Sequence, residues 1–147
     1  MNQVIEPLDT EDEQRLSNQR AEVDALCARI GQRIPHGAAD RDGAMLKALQ
    51  AIVDSNVLNA EDTYALQCLG VVLGDVLSSR QGLTWRAVID AYGRDPCLVL
   101  EGTSITLFPI TMISKRVERG EAVDVAEIVQ GIAAALDDVR SKATRVR

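Results

Sequence analysis

Few residues of this chain could do chemistry, and each must be weighed by what it would need beside it. His36 is the sole histidine, so a mechanism requiring an imidazole base would have to use it. Its surroundings, QRIPHGAAD from Gln32 to Asp40, read instead as a solvated loop. Cys27, Cys68 and Cys97 are far apart in the chain and form none of the close pairs of zinc or CxxC redox centres. A nucleophilic Cys97 would need a base or a positive helix end nearby to become a thiolate; an inert, half-buried thiol at a strand start is the simpler reading. Ser78, Ser79 and Ser104 lack the GxSxG elbow. No metal, nucleotide or nucleophile signature emerges, so the expectation is a non-enzyme with no catalytic residue, no metal ligand and no cofactor.

The acids are more informative. Two of Asp75, Asp90 and Asp95 can approach each other if the helix carrying Asp75 packs under the strands, and paired carboxylates can bind metal or share a proton. Asp95, directly before Pro96, reads more simply as a turn residue, and Asp75 as an ion-pair partner of Arg94 or Lys115. Lys115, Arg116 and Arg119, with Thr111 and Ser114, form either an anion site at a short helix or a solvated helix face. Aromatics make up 3% of the chain, so Trp85 and Phe108 are expected to fill core, while Tyr92, in a turn, is expected to be exposed. The candidate binding residues are therefore Tyr92, Arg94, Asp95, Asp75, Lys115 and Arg116.

The elements that must position them follow from periodicity. Thr10 and Glu13 have capping-box spacing, opening a helix whose apolar positions Leu16, Val23, Leu26, Cys27 and Ile30 lie on one stripe before Gly31 ends it. A second helix runs from Asp42 to Asp54. Asn59 is the expected N-cap of a third, apolar over more than one stripe, in which Gly70 and Gly74 invite close approach of another backbone and Gly82 is the stop. After Gly82 the period shortens to that of strands, Trp85–Ile89, Cys97–Leu100 and Ile105–Phe108, with DAYGRDP as the first turn. Two helices follow, Ile110–Arg119 closed by Gly120, and one capped by Asp124 with Glu127 that frays into SKATRVR. The predicted fold class is α+β: N-terminal helices, a three-stranded antiparallel meander and two C-terminal helices.

With 147 residues, 46% of them hydrophobic, the chain fits a single domain, 1–147. Within it, 9–56 reads as variable N-terminal helices and 59–140 as the α+β core. A net charge of −6 and a pI near 4.8 argue against nucleic acid as a partner, because phosphate recognition relies on Lys and Arg. Acid crowds the N-terminus, at Glu6, Asp9, Glu11, Asp12 and Glu13, and both ends are expected in solvent. Free thiols, an N-terminus without a leader pattern and no membrane span predict a cytoplasmic location.

Four segments, LGVVLGD (Leu69–Asp75), LTW (Leu83–Trp85), YGRDP (Tyr92–Pro96) and FPITMISKRVERGE (Phe108–Glu121), together resemble an uncharacterised bacterial family, domain of unknown function thirty-eight-oh-six. The resemblance covers about Ala60 to Val125 and implies no catalytic residue or cofactor. Three functional expectations remain. One is a protein-binding domain using the meander edge, in its sharper form an immunity-type inhibitor of a basic toxin or effector, because an acidic surface accelerates capture of a basic partner. The second is a small-ligand binder or enzyme with Asp75, Asp95, Arg94 and Lys115 converging in a cleft between the third helix and the sheet. The third is a homodimer formed through an open strand edge.

Overall fold

The helix, strand, helix order of the sequence is realised in the computed structural model, which describes residues 2–34 and 39–145; His36 lies outside the described residues. Among them the chain forms β1 (Val4–Glu6), α1 (Thr10–Arg29), α2 (Arg41–Asp54), α3 (Thr63–Gln81), β2 (Thr84–Asp90), β3 (Gly93–Val99) and β4 (Thr106–Leu107). A 3-10 turn (Pro109–Thr111), α4 (Met112–Glu118) and α5 (Val125–Arg145) complete it. The fold is α+β, and no helix is long and apolar enough to cross a membrane.

α3 is the centre of the core. Leu66, Leu69, Val72, Leu73, Val76 and Leu77 on it are buried together with Val23 and Leu26 of α1, Leu49 and Ile52 of α2, and Val129 and Leu136 of α5. Burial of each such side chain stabilises by about 1.5–3 kcal/mol, which is why α3 needs apolar residues nearly all round while α1 and α5 need a single stripe. The two glycines of α3 allow the close approach their spacing predicts. A Cβ on Gly70 would lie 2.3 Å from the Ile110 carbonyl oxygen, and one on Gly74 would lie 2.5 Å from the Trp85 ring.

The sheet has the order β1-β2-β3-β4 with antiparallel neighbours. Trp85, Leu98 and Leu107 share one face through the registers Trp85↔Leu98 and Leu98↔Leu107 and meet the main core. Val88, Cys97 and Val99, of the opposite parity, form a separate small cluster.

Several local expectations are corrected. The meander gains a fourth strand, because Val4–Glu6 pairs with Ala87–Ile89 of β2; three residues are too few to show alternation, and their ladder is supplied by a strand eighty residues away in the chain. The capping box of α1 is Asp9 with Asp12, not Thr10 with Glu13: Asp9 Oδ1 accepts from the Asp12 N–H at 2.8 Å, and Asp12 Oδ2 from the Asp9 N–H at 2.9 Å. Asn59 does not cap α3; it closes a preceding turn with Glu61 and Asp62, and Asp62 takes the cap position. The turn DAYGRDP shrinks to Ala91–Tyr92, since Gly93 already pairs with Asp90 and Arg94, Asp95, Pro96 and Cys97 are strand. Gly93 takes a φ of 128°, which a side chain at this point would resist. The third predicted strand shortens to Thr106–Leu107, and the predicted helix Ile110–Arg119 divides into the 3-10 turn and α4.

Candidate functional site

β4 pairs only with Leu98 and Val99 of β3, so among the described residues the outer edge of β3 from Gly93 to Cys97 has no neighbouring strand. The chain leaves the sheet at Phe108, held down by the contact of Ile110 with Gly70 and of Pro109 with Gly74. The glycines of α3 thus set how deep the 3-10 turn sinks, and a cleft of about 520 Å³ opens between it and β3. Its walls are Arg94, Asp95 and Pro96 from β3, Phe108, Ile110, Thr111 and Lys115 from the segment after β4, Arg15 and Gln19 from α1, and Gln67 from α3. Two of the distinctive segments, YGRDP and FPITMISK, face each other here.

The Leu100 N–H donates to the Ile105 carbonyl at 3.2 Å, on the β4 side. Backbone groups alternate sides along a strand, and the β2–β3 register is unbroken from Gly93 to Val99, so Leu98, Pro96 and Arg94 turn theirs to the same side. Pro96 is tolerated in the strand for this reason: the N–H it lacks would have faced the open edge.

The Arg94 guanidinium, on the cleft wall, is already engaged. It donates to Asp12 Oδ2 at 2.6 Å from Nη2 and to Glu6 Oε2 at 2.8 Å from Nη1, clamping β3 to the N-terminal segment. Asp12 is 1% exposed, and its carboxyl is lowered to about 2, first by the Arg94 hydrogen bonds and further by the Asp9 backbone N–H, against the opposing cost of burial. A depressed acid contributes stability that is complete above its unfolded value and is lost as pH falls through the folded one. The expected result is a loss of about 2 kcal/mol of unfolding free energy between about pH 5 and pH 2 from this group, read as a falling urea midpoint. In Asp12→Asn that component of the slope should be absent, and an unchanged slope would disprove the assignment.

Asp75 lies outside the cleft. It pairs with neither Arg94 nor Lys115: it accepts from Arg20 Nε at 2.7 Å and Nη2 at 2.9 Å, and from Trp85 Nε1 at 3.0 Å. The correction has a physical cause, since Trp85 sits over Gly74 and brings its indole N–H to the next residue of α3, leaving Asp75 to tie α1, α3 and β2 together. Arg116 turns away too, donating to the Met112 carbonyl at 2.7 Å beside α5. Ser114 is 2% exposed and does not join Lys115 and Arg119 in an anion site. Tyr92 is 96% exposed at the hairpin tip, its N–H held by Asp90 Oδ1. Of the six predicted residues the cleft therefore collects Arg94, Asp95 and Lys115.

Phe108, expected in the core, is 44% exposed and lines the cleft, because the chain turns out of the sheet there before Pro109 enters the interior. Arg15, Gln19 and Gln67 are lining residues the sequence reading missed. Gln67 carried a signal, as an amide set among the apolar residues of α3. Cys97 is fully buried, not half-buried, inside β3, and burial pushes its thiol up to about 11, the opposite of what a nucleophile needs. Among the described residues no group of three His, Cys, Asp or Glu could hold a metal ion.

The profile of the family described as "Domain of unknown function (DUF3806)" matches residues 45–128, more than half of the chain. The match begins inside α2, at Met45, and leaves β1 and α1 outside it. No curated protein matches this chain. A crystal structure from Bacteroides thetaiotaomicron VPI-5482 is similar, with a TM-score of 0.74 and 17% identity over 90% of this chain. The chain spans 48% of that protein's length. At this identity the likeness is one of fold.

Proposed function

The chain belongs to this family of domains of unknown function, and we propose that it is a non-enzymatic protein-binding domain that holds its partner in the cleft beside β3. One observation carries the reading: a strand edge with no neighbouring strand among the described residues runs alongside a half-exposed phenylalanine, with cations and amides around them. Aromatic side chains, phenylalanine among them, are enriched at the buried centres of protein interfaces, and Phe108 is 44% exposed on the cleft wall. Cys97, Asp75 and the Arg94 guanidinium, the groups with most chemical potential, are occupied by burial or ion pairing.

The sharper form, an immunity-type inhibitor of a basic toxin or effector, is supported by the net charge of −6 and predicts a basic effector encoded next to this gene. A small-ligand binder is the second reading, supported by the meeting of Arg94, Asp95 and Lys115 in one cleft.

Affinity capture from the native host, with wild type and the exposed-site variants Phe108→Ala and Lys115→Glu side by side, tests the proposal. Both variants should keep their stability within about 1 kcal/mol. A single stoichiometric protein retained by wild type and lost from both is the expected result. No retained protein, or one held equally by the variants, would sink it.

A further inference from the structure

The direction of the β3 backbone narrows what this cleft accepts. We infer that its occupant is an extended segment of the partner protein that adds as a strand to the open edge of β3, carrying an apolar side chain onto Phe108 and a carboxylate toward Lys115. The inference rests on the protein-binding reading and goes beyond it by fixing the conformation and the side-chain chemistry of the bound segment.

Three observations converge. First, Arg94 and Pro96 turn their backbone groups to the open side, as the Leu100 to Ile105 hydrogen bond and the unbroken register require. The edge therefore offers the Arg94 N–H, the Arg94 carbonyl and the Pro96 carbonyl. Such main-chain groups give a strand-adding peptide its affinity, and pockets for its alternate side chains give specificity. Second, the side of the cleft facing that edge is built by Phe108, Ile110 and Thr111, the segment that departs from the line of β4 just as a further strand residue would be due. β4 fills this lane opposite Leu98 and Val99, and an added strand would continue it at the usual spacing of about 4.8 Å from β3. Gln19 and Gln67 are half-buried on the wall, and their amides can both donate to and accept from a peptide backbone.

Third, the charges on the rim are unequal. Arg94 is engaged by Asp12 and Glu6. Arg15 gives one N–H to Asp12 but keeps 63% of its side chain exposed, and Lys115 is exposed with no ion pair to any described residue. Asp95 is the single acid lining the cleft. A protein with a net charge of −6 thus presents two available cations beside this open edge, which selects a carboxylate on the incoming segment. A side chain two residues from that carboxylate shares its face of the strand and would fall on Phe108.

The test uses a phage-displayed random peptide library panned on the full chain. Enriched peptides are expected to carry Asp or Glu two residues from an apolar residue and to bind with roughly micromolar Kd. Binding should protect the Arg94 amide from hydrogen exchange. Lys115→Glu should weaken the best peptide about tenfold or more, and so should N-methylating the peptide residue opposite Arg94. No enrichment, binding that leaves the Arg94 amide exchanging as in the free protein, or equal affinity for Lys115→Glu would overturn the inference. If the native partner is still captured and lost from Phe108→Ala while the Arg94 amide stays unprotected, strand addition fails and the protein-binding reading stands.

Discussion

Replacing Gly70 with alanine is expected to destabilise the protein by about 3 kcal/mol, although the same change in an isolated helix would stabilise it by about 1 kcal/mol. The sign is decided by space. The new Cβ would stand 2.3 Å from the Ile110 carbonyl oxygen and 2.6 Å from its carbonyl carbon and Cα. These are backbone atoms of a segment pinned on its other side by Pro109, so no side chain can swing away to relieve the clash. Either α3 shifts inside a close-packed core or the 3-10 turn lifts, and lifting it would also reshape the cleft. Urea denaturation should show the midpoint falling by roughly 1–2 M. Gly131→Ala on α5 is the control: nothing lies within 4 Å of its added methyl, so it should raise stability by up to about 1 kcal/mol. If both substitutions stabilise, the close approach at Gly70 is wrong.

Arg94→Ala is expected to cost about 3–5 kcal/mol, the usual penalty for stripping the partner from a buried charge. Asp12, at 1% exposure, would keep the Asp9 N–H and one N–H of Arg15 but lose the guanidinium that holds it ionised. Its pKa should rise, and the acid limb of the stability profile should move with it. In a double-mutant cycle with Asp12→Asn the combined loss should fall short of the sum of the single losses by at least about 1 kcal/mol. An additive result would mean that Arg94 acts elsewhere. The clamp also carries an architectural consequence: the partners of Arg94 and Asp75, both in family-like segments, come largely from β1, α1 and the link between them, outside the matched residues 45–128. These two residues bind the N-terminal segment to the core.

Most of what made the sequence distinctive is thereby assigned to packing. Gly70, Gly74 and Asp75 of LGVVLGD receive Ile110, Trp85 and Arg20 in turn. Of the residues this leaves at the surface, Phe108, Lys115 and Asp95 border the cleft.

Residue spacing was enough to establish the class of fold, the extent of α2, the succession of β2, β3 and β4 and the close approach at Gly70 and Gly74, because periodicity and glycine requirements act over a few neighbours along the chain. Periodicity also exposed Tyr92, whose turn chemistry is local. β1, the Arg94–Asp12 clamp, the Arg20–Asp75–Trp85 junction and the outward turn of Phe108 were set by tertiary structure. Each joins residues far apart in sequence, and which of several carboxylates meets a given arginine depends on how deeply one segment sinks against another. The cleft itself has the same origin: it exists because β4 stops after two residues, and that length is fixed by the contact between Ile110 and a bare helix backbone, a matter of three-dimensional fit that no local pattern encodes.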